Sequence, residues 1–422
     1  MGLVAANMIG AGVFVSAGFM SQELGPGAIL LAWAAGAAMA LCGAVAYGQL
    51  ARLVPRSGGE YRFLSDLLHP FAGYLAGWTS LLVGFSAPIA ASALAAGHFV
   101  RTLWPSASPL AVAAALLVGL TALHAAGFRM SSRTQDALVA VKAALLVAFL
   151  AVGLWHAPAA WPIWQPPRPP ASTPAAFATS LFFVSFAFSG WNAAVYATGE
   201  FREPRRDVPR AMLCGCALVA LLYLGINWVF VASLTPEQAA VAVAYETHRV
   251  TLGHLVMRDA VGPGGAAEMS ALTVVALVSS MSAMVFAGPR VYAAMAQDGY
   301  LPRALAGREG RPTPATIALQ GALALAILLT HSLQEILGGL GAILMVFSAL
   351  AACALVRARF ARPDLPRSGP SALAAAAAYV AASAVLLAVG VRASPQALLW
   401  LGAALVAAAV GFAAARRART IS

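Results

Sequence analysis

Apolar residues gather along this chain into twelve blocks, near 1–20, 27–50, 71–100, 109–127, 135–155, 175–199, 209–232, 266–290, 314–330, 334–356, 370–391 and 396–415. Each approaches or exceeds the roughly 20 residues that carry a helix across a hydrocarbon core. The pattern predicts an all-α polytopic membrane protein with 12 transmembrane helices. Two blocks are interrupted by glycine. The first reads Met8-Ile9-Gly10-Ala11-Gly12-Val13-Phe14, and the sixth reads Phe186-Ala187-Phe188-Ser189-Gly190-Trp191-Asn192. Glycine is a poor helix former that tolerates unusual dihedrals. Unwound backbone at membrane depth survives only where it is buried or lines a cavity. Taken alone, Gly10 and Gly12 fit close helix packing through small residues equally well. A second break five helices later is what an inverted five-helix repeat requires. There a half-helix amino terminus offers N–H groups to a carboxylate, and unwound carbonyls receive a cation.

Composition agrees with the pattern. The chain is 61% hydrophobic and 10% charged, with mean hydropathy +0.81, against about a quarter charged residues in a soluble domain. The net charge of +11 raises the question of nucleic acid, and the distribution of arginine answers it. With the amino terminus cytoplasmic, 20 arginines fall in inside loops, such as Arg202, Arg205, Arg206 and Arg210. Only 5 fall outside: Arg101, Arg168, Arg249, Arg258 and Arg392. That asymmetry follows the positive-inside rule and predicts both termini in the cytoplasm of a cell (inner) membrane protein, with no nucleic-acid partner. The first block has no Lys or Arg before it, so it reads as a retained helix and not a signal peptide.

Lys142 is the only lysine, and it lies in the middle of the fifth block. An ionisable group at that depth is expensive and normally faces a protein interior or a water-filled cavity. The plainer alternative is that it snorkels to an interface. Cys42, Cys214, Cys216 and Cys353 all lie in apolar blocks and read as packing residues, so no disulfide framework is expected. Nothing in the pattern calls for a metal or a cofactor. His98 and His124 near helix ends read as hydrogen-bonded or interfacial, and His69, His156, His248, His254 and His331 read as loop residues.

Four stretches carry a family resemblance: Ile9-Gly10-Ala11-Gly12-Val13-Phe14, Pro55-Arg56-Ser57-Gly58-Gly59-Glu60-Tyr61, Glu200 with Pro204, Asp207 and Pro209, and Ala296-Gln297-Asp298-Gly299-Tyr300-Leu301-Pro302. In this order, across essentially the whole length, the chain resembles the amino acid–polyamine–organocation superfamily of permeases. Gly190-Trp191-Asn192 with Lys142 is most similar to the L-type amino acid transporter branch and its bacterial relatives. The resemblance implies the leucine-transporter fold. Residues 1–155 would form one inverted repeat (helices 1–5), 175–356 the second (helices 6–10), and 370–415 helices 11 and 12. Two departures stand out. Only nine residues precede Gly10, about 13 Å of helix at 1.5 Å per residue, so either the amino-terminal gate is short or the true start lies upstream. The loop 101–108 lacks the cysteine by which animal light subunits join a heavy chain, so no disulfide-linked partner is expected, and the chain would act as a monomer or loose homo-oligomer.

The resemblance also implies a site. The N–H groups of Ala11, Gly12 and Val13 would hold a substrate carboxylate, and carbonyls near Met8, Ile9, Phe186 and Ala187 its ammonium, with Gly10, Ser189 and Gly190 completing the unwound stretches. Phe186 would be an aromatic gate, or simply a buried phenylalanine. Ser86, Ile89, Trp191 and Ser282 are pocket candidates. Sodium-coupled relatives bind Na⁺ between helices one and eight; here the Lys142 ammonium would fill that place, donating to helix-one carbonyls and to Ser279 or Ser280, as a tether or a proton carrier. The function implied is secondary active transport of amino acids by sodium-independent exchange or proton coupling. Neutral substrates are favoured, since no span offers a pocket carboxylate except Glu268 near an outer end. A cationic amino acid or polyamine permease is the alternative. A membrane enzyme fits poorly: there is no His-Glu-x-x-His, no Gly-x-Ser-x-Gly and no carboxylate pair inside the blocks.

Overall fold

The computed structural model describes residues 1–127, 132–157, 160–166, 173–235, 252–307, 312–331, 333–393, 409 and 411–413. Every element among them is helical. A helix or a broken helix lies under each of the first eleven apolar blocks. The first block is α1 (Gly2–Met8) and α2 (Ala11–Met20), and the second is α3 (Pro26–Leu53). The third is α5 (Pro70–Thr79) and α6 (Ser86–Leu103), joined by a π turn at Ser80–Phe85. Next come α7 (Pro109–Ala125), α8 (Ser132–His156), α9 (Thr173–Ala187) with the single turn α10 (Ala193–Tyr196), and α11 (Pro204–Ser233). The last four are α13 (Pro263–Gln297), α14 (Pro314–Thr330), α15 (Leu333–Ala361) and α16 (Pro370–Ala393). The twelfth block lies almost wholly outside the described residues, as do Arg129, Arg168, Arg249 and His248.

Proline sets many of the starts. It occupies the first helical turn of α3, α5, α7, α11, α13 and α14. Its fixed φ suits that position and its missing N–H costs nothing there. Among the described residues, six helices are long and apolar enough to cross a membrane, and α1 with α2 forms a further pair bent by 46°. The apolar helices α7, α9 and α14 are shorter. The chain is a multi-pass helical membrane protein.

Two helices occupy stretches that the apolar pattern leaves as loops: α4 (Glu60–Leu67) and α12 (Leu252–Val261). His254 therefore sits on a helix, buried, stacked on Phe99 at 5.5 Å and bonded to Ser270 Oγ at 2.5 Å, which corrects its reading as a loop residue. The π turn has a visible cause. Pro88 has no N–H for the carbonyl of Gly84, and its ring crowds that turn. The Ser86 hydroxyl takes the carbonyl of Leu81 instead, at 2.6 Å.

The packing follows a rule. Block one meets block six (α2 on α9), two meets seven (α3 on α11), three meets eight (α6 on α13) and four meets nine (α7 on α14). Each of the first four blocks thus lies against the one five blocks later.

Candidate functional site

The first break is narrow. Ile9 (φ −76°, ψ 85°) and Gly10 (φ −125°, ψ −157°) leave the helical region between α1 and α2. The first-turn N–H groups of α2, on Ala11, Gly12 and Val13, have no helical carbonyl four residues back. Gly10 brings no side chain to cap them. The Met8 carbonyl accepts from Gly10 N at 2.9 Å and from the Tyr223 hydroxyl at 2.7 Å.

The second break is wider. α9 stops at Ala187, and residues 188–192 turn before α10 begins at Ala193. Gly190 has φ +97°, the left-handed region where a side chain is strained. The two breaks lie against each other. A Cβ on Gly12 would stand 2.5 Å from the Cα of Ala187, and one on Gly190 would stand 2.9 Å from the Cβ of Asn7. Ser16 Oγ donates to the Phe183 carbonyl at 3.3 Å and Phe19 stacks on Phe183 at 5.5 Å, so α2 and α9 stay together beyond the breaks.

Lys142 does not snorkel. It is 1% exposed, and its Nζ donates to the Ala6 carbonyl at 3.2 Å, near the end of α1. Ser279 and Ser280 of α13 are buried with hydroxyls that lack a partner among the described residues. Ser280 Oγ lies 3.3 Å from where a Gly10 Cβ would be. So α1, α8 and α13 converge beside the first break.

A cavity of about 100 Å³ lies at the second break. Of the residues expected at the site, Phe186, Ser189, Gly190 and Trp191 line it, joined by Asn7, Glu60 and Tyr196 among others. Met8, Ile9, Gly10, Gly12, Val13 and Ala187 are buried but outside its lining. Ser86, Ile89 and Ser282 stand outside its lining. Ser86 is engaged with Leu81, Ile89 is buried, and Ser282 faces His124 Nε2 at 3.0 Å. The π turn contributes Ser80, Gly84 and Phe85.

Glu60 is the residue that sequence reasoning missed. It follows the left-handed glycines Gly58 and Gly59, is 4% exposed, and faces the cavity. Its Oε1 accepts from Tyr47 Oη at 3.0 Å and from Asn192 Nδ2 at 2.7 Å, and its Oε2 from Tyr196 Oη at 2.5 Å. Trp191 packs edge-on to Tyr47 at 4.7 Å. The loop before Glu60 grips the same segment, since Gly199 N donates to Ser57 Oγ at 2.8 Å. Beyond it, Tyr61 and Arg62 both donate to Asp298, and Arg290 pairs with Glu200 at 2.8 Å. These contacts tie together the loop after α3, the carboxy-terminal end of the sixth block and the end of α13.

The amino acid permease family model matches residues 1–415. The chain belongs to the amino acid permease family. This permease is similar to the large neutral amino acids transporter small subunit 2 of Mus musculus, 28% identical over 383 residues, covering 87% of this chain and 70% of the relative. It is 26% identical over 409 residues to the Asc-type amino acid transporter 1 of Homo sapiens, covering 91% and 75%. It is 33% identical over 358 residues to an uncharacterised transporter of Mycobacterium bovis, covering 82% and 76%. The L-type resemblance drawn from Gly190-Trp191-Asn192 and Lys142 agrees with these relatives.

Proposed function

We propose that this permease carries neutral amino acids across a cell membrane by alternating access, without sodium, through exchange or proton coupling. The observation that carries the reading is the meeting of the two breaks: Gly12 against Ala187 and Gly190 against Asn7, with Lys142 bonded to the Ala6 carbonyl beside them. The free N–H groups of Ala11, Gly12 and Val13 receive the carboxylate. The carbonyls of Ile9, Phe186 and Ala187 are offered to the ammonium; Met8 enters only when Tyr223 releases it. Phe186, on the cavity wall, is the gate. Lys142, with Ser279 and Ser280, stands where sodium-coupled relatives hold the ion.

The pairing of blocks one to four with blocks six to nine supports two inverted repeats, 1–155 and 175–356, with 370–415 appended, for 12 helices in all. The arginine asymmetry supports cytoplasmic termini. Relatives named as small subunits point toward a heavy chain, but the loop 101–108 has no cysteine to bond it, and a monomer or loose homo-oligomer is the reading kept. A cationic substrate is the second reading, because Glu60 puts a carboxylate in the cavity that the apolar blocks do not provide.

The test is radiolabelled uptake into proteoliposomes, with and without internal amino acid. Uptake should persist when choline replaces sodium. A strict sodium requirement would remove Lys142 from the ion position. Faster uptake with internal amino acid marks exchange.

A further inference from the structure

Glu60 is the one charged side chain lining the cavity among the described residues. It is more than nine-tenths buried. All three of its hydrogen bonds come from neutral groups: two tyrosine hydroxyls and an amide. The described basic side chains around the two breaks are engaged elsewhere. Lys142 donates to the Ala6 carbonyl, Arg62 pairs with Asp298, and Arg290 with Glu200. Among the described residues, this buried carboxyl group is held by neutral donors alone and meets no cationic partner. Its Oε2 accepts one bond where a carboxylate oxygen takes two. The unused acceptor belongs to a group that faces a cavity.

The missing cation therefore comes with the ligand. We infer that Glu60 is an ammonium-binding residue of the cavity, forming an ion pair with a primary ammonium of the transported molecule. This inference rests on the reading of the cavity as the transport cavity. Asn192 and Tyr196 fix the carboxylate from the inner end of the broken segment, and Tyr47 fixes it from α3. An ammonium entering there meets an oriented acceptor and no competing cation. Two sources supply such a group: the α-ammonium of any amino acid, whose three N–H donors are then shared between Glu60 and the carbonyls of the broken segments, or the side-chain ammonium of a basic one.

The experiment is equilibrium binding to the full chain in nanodiscs. The probes are leucine, 4-methylpentanoate (leucine without its ammonium), isopentylamine (leucine without its carboxylate), norleucine and lysine. Wild type, Glu60→Gln and Glu60→Asp are compared. An α-ammonium at Glu60 makes wild type prefer leucine over 4-methylpentanoate by about 30-fold or more, the scale of a buried charge-assisted pair. Glu60→Gln should bring that ratio to about 3-fold or less, and Glu60→Asp should keep most of it. If the side-chain ammonium is the source, the lysine-to-norleucine ratio collapses instead, and leucine keeps its advantage. A merely structural anchor would weaken every probe equally and leave both ratios intact, and that outcome overturns the inference. So does Glu60→Gln binding unchanged. If wild type binds isopentylamine but not leucine, with the amine lost in Glu60→Gln, the ammonium site stands and the amino acid reading falls. If wild type binds no ammonium-bearing probe, both fall.

Discussion

The two broken segments lie against each other but differ in how they are finished. At the first, only Ile9 and Gly10 leave the helix, the Met8 carbonyl is taken by Tyr223, and Ala187 lies over Gly12. At the second, residues 188–192 are out of the helix, the following turn is four residues long, and Glu60 holds it from another part of the chain. The cavity follows the second, taking Phe186, Ser189, Gly190 and Trp191 but from α1 only Asn7. The first break presents fixed backbone and the second presents shape.

The comparison can be attacked at Lys142, where the largest effect is expected. Lys142→Ala should cut uptake about 30-fold or more, since a charged hydrogen bond of ~2 kcal/mol braces α1. Membrane insertion should be intact. Normal proteoliposome uptake would mean that the first segment needs no brace. Next come the glycines. Gly190→Ala and Gly12→Ala should each destabilise the protein by about 1–3 kcal/mol, read as melting temperature in detergent, through strain and overpacking. For that reason a bulky residue at Gly12 cannot by itself separate carboxylate binding from packing. Ala187→Gly in the Gly12→Ala background should restore only part of the stability, because the 2.5 Å contact is to the Ala187 Cα and remains. Full recovery would show the first break to be as adaptable as the second. Tyr223→Phe should cost about 1 kcal/mol and free the Met8 carbonyl without lowering leucine affinity.

The smallest effect concerns cover. The helix α12 packs on α2, and burial pushes the His254 imidazole down from 6.5 to about 4. The unfolded chain then binds the proton first as pH falls below about 6.5, so stability drops from there down through about 4. The drop should be absent in His254→Phe. Melting curves across that range test it, and the sixth block should not respond.

Most of the helical scaffold was legible because a membrane demands long apolar runs, and Lys142 was legible because charge in such a run is rare. Both breaks were legible from glycine in a helical stretch. Glu60 was not. It lies in a polar stretch that hydropathy assigns to the cytoplasm, and only the turn through Gly58 and Gly59 carries it inward. The π turn had a signal in Pro88 that apolar periodicity does not register, and from this region Phe85 and Pro88 line the cavity while Ser86 and Ile89 do not. The amphipathic helix α4, with Glu60, Arg62, Ser65 and Asp66 among its eight residues, was too short and too polar for a pattern tuned to spans.

One consequence of Lys142 lies outside transport. The chain has a single ε-amine, and it is sealed between helices at 1% exposure. A membrane-permeant amine-selective reagent therefore finds one side chain to modify, and finds it only when α1 parts from α8. The rate of labelling at Lys142, followed by peptide mass so that the terminal α-amine is counted separately, is a stopwatch for that parting, written into the sequence. Substrate, pH and lipid could each be scored by how fast the stopwatch runs, with no engineered cysteine and no fluorophore.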